Sequence, residues 1–396
     1  MSDIIFRSAE KADWPAMGLI TETAFGFRQP DEAAEAWRSL IGADGAVVAC
    51  NGDDVVGTAV FLDFELTVPG GAVLPMAGVS MVAVAPTHRR RGALSGMFDE
   101  LHRRMGAYPV AGLEASEAEI YGRFGYGPAT VWERLEVHRD GARFRPGVPD
   151  PGGVRLVQPA EHRAHLEDID ERWRRQTPGG LHTPSRLWDE VLADREAFRH
   201  GGSPRYCLLH RDGYAFYRLH GSDEKTTAEV TKMAAVTAEA EIALWRVLVG
   251  LDLKEIVGLH THPGNVIRYL LTDPRLARTR EMFDGLWLRM LDIPAVLQAR
   301  TYAADLSAVF EVTDDFLGRG GRFALTVRDG RATCERTEAA ANVHLDVSVL
   351  GSLYFGAHRA SSFAAARQLR CSDVELVIAL DRAFATDVPA ELGFGF

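Results

Sequence analysis

AGVSMVAVAPTHRRRGALSGMFDELHRRMG, residues 77–106, changes its hydrophobic period halfway along. Val79, Met81, Val82 and Val84, with only small neighbours, read as a buried strand. Pro86 and Thr87 break that pattern, and Arg89-Arg90-Arg91-Gly92 follows. Leu94, Met97, Phe98, Leu101 and Met105 then recur at helical spacing, with Gly106 at the position of a helix C-cap. The stretch is therefore strand, glycine-bearing turn, helix. A helix that starts at such a turn presents unpaired backbone N–H groups, and its dipole favours an anion there. Three guanidinium groups add positive charge, and Gly92 admits a phosphate without a Cβ in its way. A pyrophosphate cradle follows from these features. A P-loop or a dinucleotide fingerprint would need glycine spacings that this stretch lacks.

The chain has 396 residues, enough for two or three domains, with the apolar and charged fractions of a globular protein. No apolar run reaches the roughly 18 residues of a membrane span. The opening Met-Ser-Asp-Ile-Ile-Phe-Arg has no signal-peptide core, so a cytoplasmic protein without a membrane partner is expected. Cys50, Cys207, Cys334 and Cys371 have neither redox nor metal spacing and read as free thiols. A net charge of −11 argues against a nucleic-acid partner and suits a cationic substrate. His260-Thr261-His262 could chelate from one strand face, but no third ligand lies near it in sequence, and no metal is expected.

Residues 3–8 read as a first strand, followed by helices from Ala12 and over Asp31 to Leu40. Phe25, Phe27 and Trp37 belong to this region and either fill the core or line a substrate groove. Ala46–Cys50 and Val55–Leu66 flank the hairpin turn Asn51-Gly52-Asp53-Asp54. After the residue 77–106 stretch, Tyr108–Leu113 reads as a strand ending in Glu114-Ala115-Ser116-Glu117.

Val82-Ala83-Val84-Ala85-Pro86-Thr87-His88-Arg89-Arg90-Arg91-Gly92-Ala93-Leu94 resembles the acetyl-CoA motif of the GCN5-related N-acetyltransferases (GNAT), with Leu94 where Gly or Ala is usual. About thirty residues on, Tyr121-Gly122-Arg123-Phe124-Gly125-Tyr126 resembles the Tyr-x-x-x-Gly-Phe segment of the same enzymes. That resemblance puts Tyr121 near the acetyl-CoA sulfur. A phenol of pKa about 10 can protonate a departing thiolate whose thiol has a pKa of about 8–9.

The Gly- and Pro-rich residues 140–153 read as a linker. The second unit echoes the first: a hairpin about Arg211-Asp212-Gly213, a strand Thr231–Val236 and a helix from Ile242. Its turn carries Glu239 and Glu241 in place of arginines, so it is expected to have lost cofactor binding. The third unit gives strands at Ala308–Val312, Arg322–Val327 and Ala332–Arg336, one more at Val343–Asp346, and then helices. That order points to an α+β layer resembling a sterol-carrier fold. The tail Leu392-Gly393-Phe394-Gly395-Phe396 is apolar, unlike a frayed terminus, and is expected to be held against the protein. An α-carboxylate in an apolar site becomes a better base.

Taken together, VAVAPTHRRRG, ASEAEIYGRFGYGPAT, GSLYFGAHRAS and the Phe-terminated tail resemble the enhanced intracellular survival (Eis) family of acetyltransferases over essentially the whole chain. The resemblance implies an α+β (mixed α/β) fold: tandem GCN5-related acetyltransferase domains over 1–145 and 154–290, then a sterol-carrier-like domain over 291–396. It implies an acetyl-CoA-dependent N-acetyltransferase acting at several amines of an aminoglycoside or similar cationic polyamine, hence a link to antibiotic resistance, and a homohexamer. Acetyl-CoA binding falls to Val82, Ala83, Val84, Arg90, Arg91, Gly92, Ala93, Leu94, Ser95, Ser116 and Glu117. Tyr121 falls to the general acid and the Phe396 carboxylate to the general base, with Phe25, Trp37, Ser80 and Met81 facing substrate. Gly395 replaces an acidic residue of the best-known relatives, and Met81 an aromatic one. Two other readings stay open: acetylation of a protein lysine, and a non-enzymatic ligand-binding module built on the C-terminal domain.

Overall fold

A computed structural model describes residues 4–222, 225–252 and 256–396. The chain divides into two compact units. The first comprises Met1–Thr130, Gly285–Asp387 and Phe394–Phe396; the second comprises Val131–Asp284 and Val388–Gly393.

In the first unit, β1 (Ile5–Ser8), β2 (Ile41–Asn51), β3 (Asp54–Thr67) and β4 (Val73–Val84) run antiparallel in sequence order. The β2–β3 hairpin closes where Gly52 takes φ +64°, a turn geometry that glycine adopts without strain. Next to β4 lies β5 (Val110–Glu114), parallel to it, and then Leu286–Met290 and Gly127–Pro128. The helices of this part are α1 (Trp14–Phe25), α2 (Asp31–Arg38), α3 (Ala93–Arg104) and the short α4 (Ala118–Gly122). On α3, Met97, Phe98 and Leu101 are fully buried, as their spacing requires, and they pack with Ala59, Phe61 and Val79 from the sheet.

The rest of the first unit is a five-stranded sheet in the order Arg331–Arg336, Gly321–Arg328, Leu306–Thr313, Val343–Asp346, Leu369–Cys371. Asp329 and Gly330 both take positive φ in its first hairpin, as a two-residue turn demands. The helix Ile293–Ala299 and the strand Leu369–Cys371 add to the elements legible from sequence. A fully buried ion pair links the two sheets: Arg289 Nη2 donates to both carboxylate oxygens of Asp314 at 2.8 Å. Asp314 also accepts the backbone N–H groups of Leu317 and Arg319.

The second unit holds a seven-stranded sheet: Ala277–Asp284, Val131–His138, Ile256–Thr261, Lys225–Ala235, Gly213–Ser222, Tyr206–His210, Arg155–Val157. Its parallel pair, Lys225–Ala235 with Ile256–Thr261, repeats the β4–β5 arrangement. The helix Ala238–Gly250 follows, capped by the Thr237 hydroxyl and carrying Glu239 and Glu241 in its first turn. Burial raises the Glu241 carboxyl. An acid there sets this turn apart from the arginine-bearing turn before α3.

The sheets depart from the domain boundaries expected at 145 and 154–290. Val131–His138 pairs with Ile256–Thr261 and Ala277–Asp284 in the second sheet, whereas Leu286–Met290 pairs with β5 in the first. The reason is ladder completion. Beyond β5 the first sheet needs an antiparallel neighbour, and the chain supplies one only on returning at Gly285. Thr130 fixes that return, with its hydroxyl accepting the Leu286 N–H at 2.8 Å.

Among the described residues, no helix is long and apolar enough to cross a membrane, and no group of three or more His, Cys, Asp or Glu gathers in metal-binding geometry. His260 sits with Trp132 and Phe283 in an aromatic cluster of the second unit.

Candidate active site

The β4–β5 ladder is short. It pairs Met76 with Val110, Ala77 with Ala111 and Gly78 with Gly112, and there it stops, although β4 continues to Val84 and β5 to Glu114. On its other side β4 carries a bulge, where Met81 and Val82 oppose Ala59 alone and Met81 takes φ +50°. A bulge bends a strand and increases its twist, which lets β4 swing away from β5. Two strands that part in this way leave backbone N–H and C=O groups free to receive an extended ligand.

The arginine turn follows directly. Thr87 and Asn51 bracket the His88 ring at 2.8 and 3.1 Å and fix the turn. Arg90 takes φ +60°, Gly92 takes φ +82°, and Gly92 is the N-cap of α3. No atom lies within 4 Å of a Cβ built on Gly92. Arg90, Arg91, Gly92 and Ser95 are exposed, Leu94 is half-buried and Ala93 is buried. The first turn of α3 has no acidic residue. An open glycine, free N–H groups and exposed guanidinium groups fit a pyrophosphate, and the parted strands fit the extended arm behind it. Gly106 is not left-handed; α3 ends at Arg104 with Met105 as its C-cap.

Tyr121 ends the run Glu114-Ala115-Ser116-Glu117-Ala118-Glu119-Ile120-Tyr121 that leaves β5. It is 6% exposed, with Phe98 of α3 centred 6.0 Å away. Burial raises the Tyr121 phenol above its ordinary value; the Ser116 hydrogen bond works against that rise and the Glu117 charge adds to it. The phenol therefore keeps its proton through neutral pH. Ser116 and Glu117, both exposed, thus belong to the surroundings of the Tyr121 phenol.

A second tyrosine, Tyr126, shares Phe98 as a ring neighbour with the first. Tyr126 is fully buried, and its hydroxyl lies 2.9 Å from His102 Nε2, while His102 Nδ1 lies 2.8 Å from the Phe98 carbonyl. Burial pushes the imidazole down to about 3, so it is neutral. Nδ1–H then donates to Phe98, and Nε2 accepts from Tyr126. Gly125 between the tyrosines takes φ +76°, and a Cβ there would lie 1.7 Å from Arg289 Nη1. The glycine of the motif thus makes room for the buried Arg289–Asp314 pair.

The C-terminus lies where β4 and β5 part. Phe396 packs on Phe64 at 4.8 Å, and Phe394 packs on Phe64 and Trp37 at 5.8 and 6.2 Å. A Cβ on Gly78, the last paired residue of β4, would meet the Phe64 ring at 2.4 Å and the Phe396 ring at 3.0 Å. The Phe396 N–H donates to Glu114 Oε2 at 2.9 Å. Glu114 is open to solvent but walled by protein, and burial raises its carboxyl while the Phe396 N–H opposes the rise.

Of the expected substrate residues, Trp37 joins the tail rings, and Ser80 and Met81 sit half-buried at the bulge. Phe25 is 51% exposed at the end of α1 and makes no ring contact with the tail. Sequence reasoning missed Phe64, Phe394 and Glu114 as site residues. Phe64 read only as part of the strand Val55–Leu66. Glu114 carried a usable signal, since it ends a parallel strand, and ligands gather at the carboxyl ends of such strands.

Comparison with known proteins finds relatives along the whole chain. Residues 6–129 and 179–290 each match an acetyltransferase (GNAT) domain family, and residues 293–391 match a sterol carrier protein domain family. The chain is 52% identical to the N-acetyltransferase Eis of Mycobacterium tuberculosis over 402 aligned positions, covering 98% of each. It is 34% identical to an uncharacterized N-acetyltransferase of Streptomyces coelicolor, covering 100% of both. The crystal structure of Eis1 from Mycobacterium abscessus superposes with a TM-score of 0.88 at 28% identity, with full coverage of both chains. The chain belongs to the Eis family of GNAT N-acetyltransferases, enzymes that use acetyl-CoA as co-substrate.

Proposed function

We propose that this enzyme acetylates primary amines of a cationic polyamine of the aminoglycoside type, by direct attack while both substrates are bound. The observation that carries the proposal is the position of Phe396, whose ring packs on Phe64 and Gly78 at the point where β4 and β5 part. That position brings a carboxylate to the mouth of the gap that suits an acetyl-bearing arm. The chain's own negative charge of −11 favours approach of a polycation.

Acetyl-CoA supplies the acetyl group as a thioester. Arg90, Arg91 and the α3 N-terminus hold its pyrophosphate, with Val82, Ala83 and Val84 along the freed edge of β4. The Phe396 carboxylate takes a proton from the attacking ammonium group, leaving a neutral amine. Tyr121, held protonated by burial, gives its proton to the departing sulfur. The nitrogen gains the acetyl group as the carbon–sulfur bond breaks, its second proton passes through water to the Tyr121 phenolate, and free CoA leaves.

The test is CoA release followed with a thiol-reactive dye, using protein with an untagged C-terminus, acetyl-CoA and kanamycin. Steady release above the amine-free blank, with acetylated kanamycin in the mass spectrum, is expected. Release no faster than the blank from protein that binds acetyl-CoA would overturn the polyamine reading.

A further inference from the structure

Glu114 is the last residue of β5, placed where the ladder to β4 has already ended. Its Oε2 accepts the N–H of Phe396 at 2.9 Å. A Cβ on Gly395 would lie 2.7 Å from that same oxygen, so the carboxylate fills the volume a side chain at 395 would need. Among the described residues, no arginine, lysine or histidine forms an ion pair with Glu114. One Cα separates the Phe396 N–H from the terminal carboxylate, so backbone geometry holds the two carboxylates within about 6 Å of each other.

Two acids this close, with no cation between them, repel each other and hold the site ready for a ligand that brings positive charge. Two buried carboxylates in the same unit are paired, Asp314 with Arg289 and Asp13 with Arg7. Glu114 instead spends one oxygen on the terminal amide and has no counter-charge.

We propose that Glu114 is a positioning and specificity residue of the amine site. Through the Phe396 N–H it aims the terminal carboxylate at the attacking nitrogen, and its own charge seats a second ammonium group of the same substrate. The substrate class is thereby narrowed to compounds whose amines stand a few ångströms apart, as on a diamine or an aminocyclitol ring. Gly395 is bare because Glu114 occupies its side-chain space. This inference rests on the polyamine reading above.

The test uses the full chain with its native C-terminus. Glu114→Gln keeps an oxygen that can accept the Phe396 N–H but removes the charge. Its KM for kanamycin should rise at least tenfold, and its kcat should fall by less than KM rises. Kanamycin binding to the CoA-loaded protein, measured by calorimetry, should weaken at least tenfold, while acetyl-CoA binding and thermal unfolding stay as in the native chain. Glu114→Ala loses the acceptor as well, and its kcat should fall too. Gly395→Ala should lower kcat in the native background and have no further effect beside Glu114→Ala, because the colliding oxygen is gone. Unchanged kanamycin KM and affinity in Glu114→Gln, or additive effects of Gly395→Ala and Glu114→Ala, would overturn the assignment of Glu114 alone. A native chain that neither turns over nor binds kanamycin would overturn the polyamine reading and this inference with it.

Discussion

At the scale of single residues, the acid proposed for this site owes its protonation state to burial. Tyr121 lies within α4 and against Phe98, and desolvation holds its proton. Tyr121→Phe keeps the ring in place and removes that proton. The variant should bind acetyl-CoA as the native chain does and lose about 10²–10⁴-fold in kcat, the usual worth of a positioned acid. Single-turnover kinetics with bound acetyl-CoA checks this, and a kcat within threefold of native would remove Tyr121 from the mechanism. The glycine of the same motif has a separate duty. Gly125 clears the space that Arg289 needs to reach Asp314 and the Phe124 carbonyl. Gly125→Ala should therefore cost several kcal/mol of stability in thermal or denaturant unfolding, because it strains a positive φ and disturbs a fully buried ion pair.

At the scale of elements, the site is a strand that leaves its neighbour and a helix that begins at an open glycine. The change of hydrophobic period over residues 77–106 made both legible in sequence: β4 and α3 follow the pattern of Val79–Val84 and Leu94–Met105. Tyr121 and the arginine turn could be read as candidates because their residue types are demanded locally by the proposed chemistry. Other features depend on distant partners and leave no local signal. The β4 bulge is set by its register against β3, and Val131–His138 and Leu286–Met290 choose their sheets by which edges are free. Glu114 acquires its role only when the tail arrives 282 residues later in the chain. The cradle itself gives a prediction. Arg90 and Arg91 are exposed and anchor no core, so the double variant Arg90→Ala, Arg91→Ala should fold normally. Its acetyl-CoA affinity should drop about 10–100-fold, the worth of one or two charged hydrogen bonds, and saturating acetyl-CoA should restore kcat. Calorimetric titration reads both, and native affinity in the double variant would move the pyrophosphate elsewhere.

At the scale of the molecule, the tail is the part through which the proposed mechanism ties fold to chemistry. Val388–Gly393 belongs to the second unit and Phe394–Phe396 to the first. In the second unit, Lys232 Nζ donates to the Gly393 carbonyl at 2.7 Å and lies 4.2 Å over the Trp173 ring, while the Glu391 N–H donates to the Pro178 carbonyl. Burial pushes the Glu391 carboxyl up to about 7, with Lys232 opposing the rise and Glu241 adding to it. A carboxyl raised on folding favours the folded state below its unfolded value of about 4.5, and that advantage is lost as pH climbs through about 7. Native protein should thus lose on the order of 1–3 kcal/mol between pH 5 and pH 8.5 from this group, and Glu391→Gln should flatten the loss in unfolding curves at the two pH values. An identical pH slope in the variant would contradict the raised carboxyl. The central claim, that the chain's own terminus is the base for acetyl transfer, is tested most directly by converting the Phe396 carboxylate to a carboxamide through protein ligation. The account predicts intact folding and acetyl-CoA binding with CoA release on kanamycin slowed at least a hundredfold; release at the rate of a ligated control bearing the free carboxylate would contradict it.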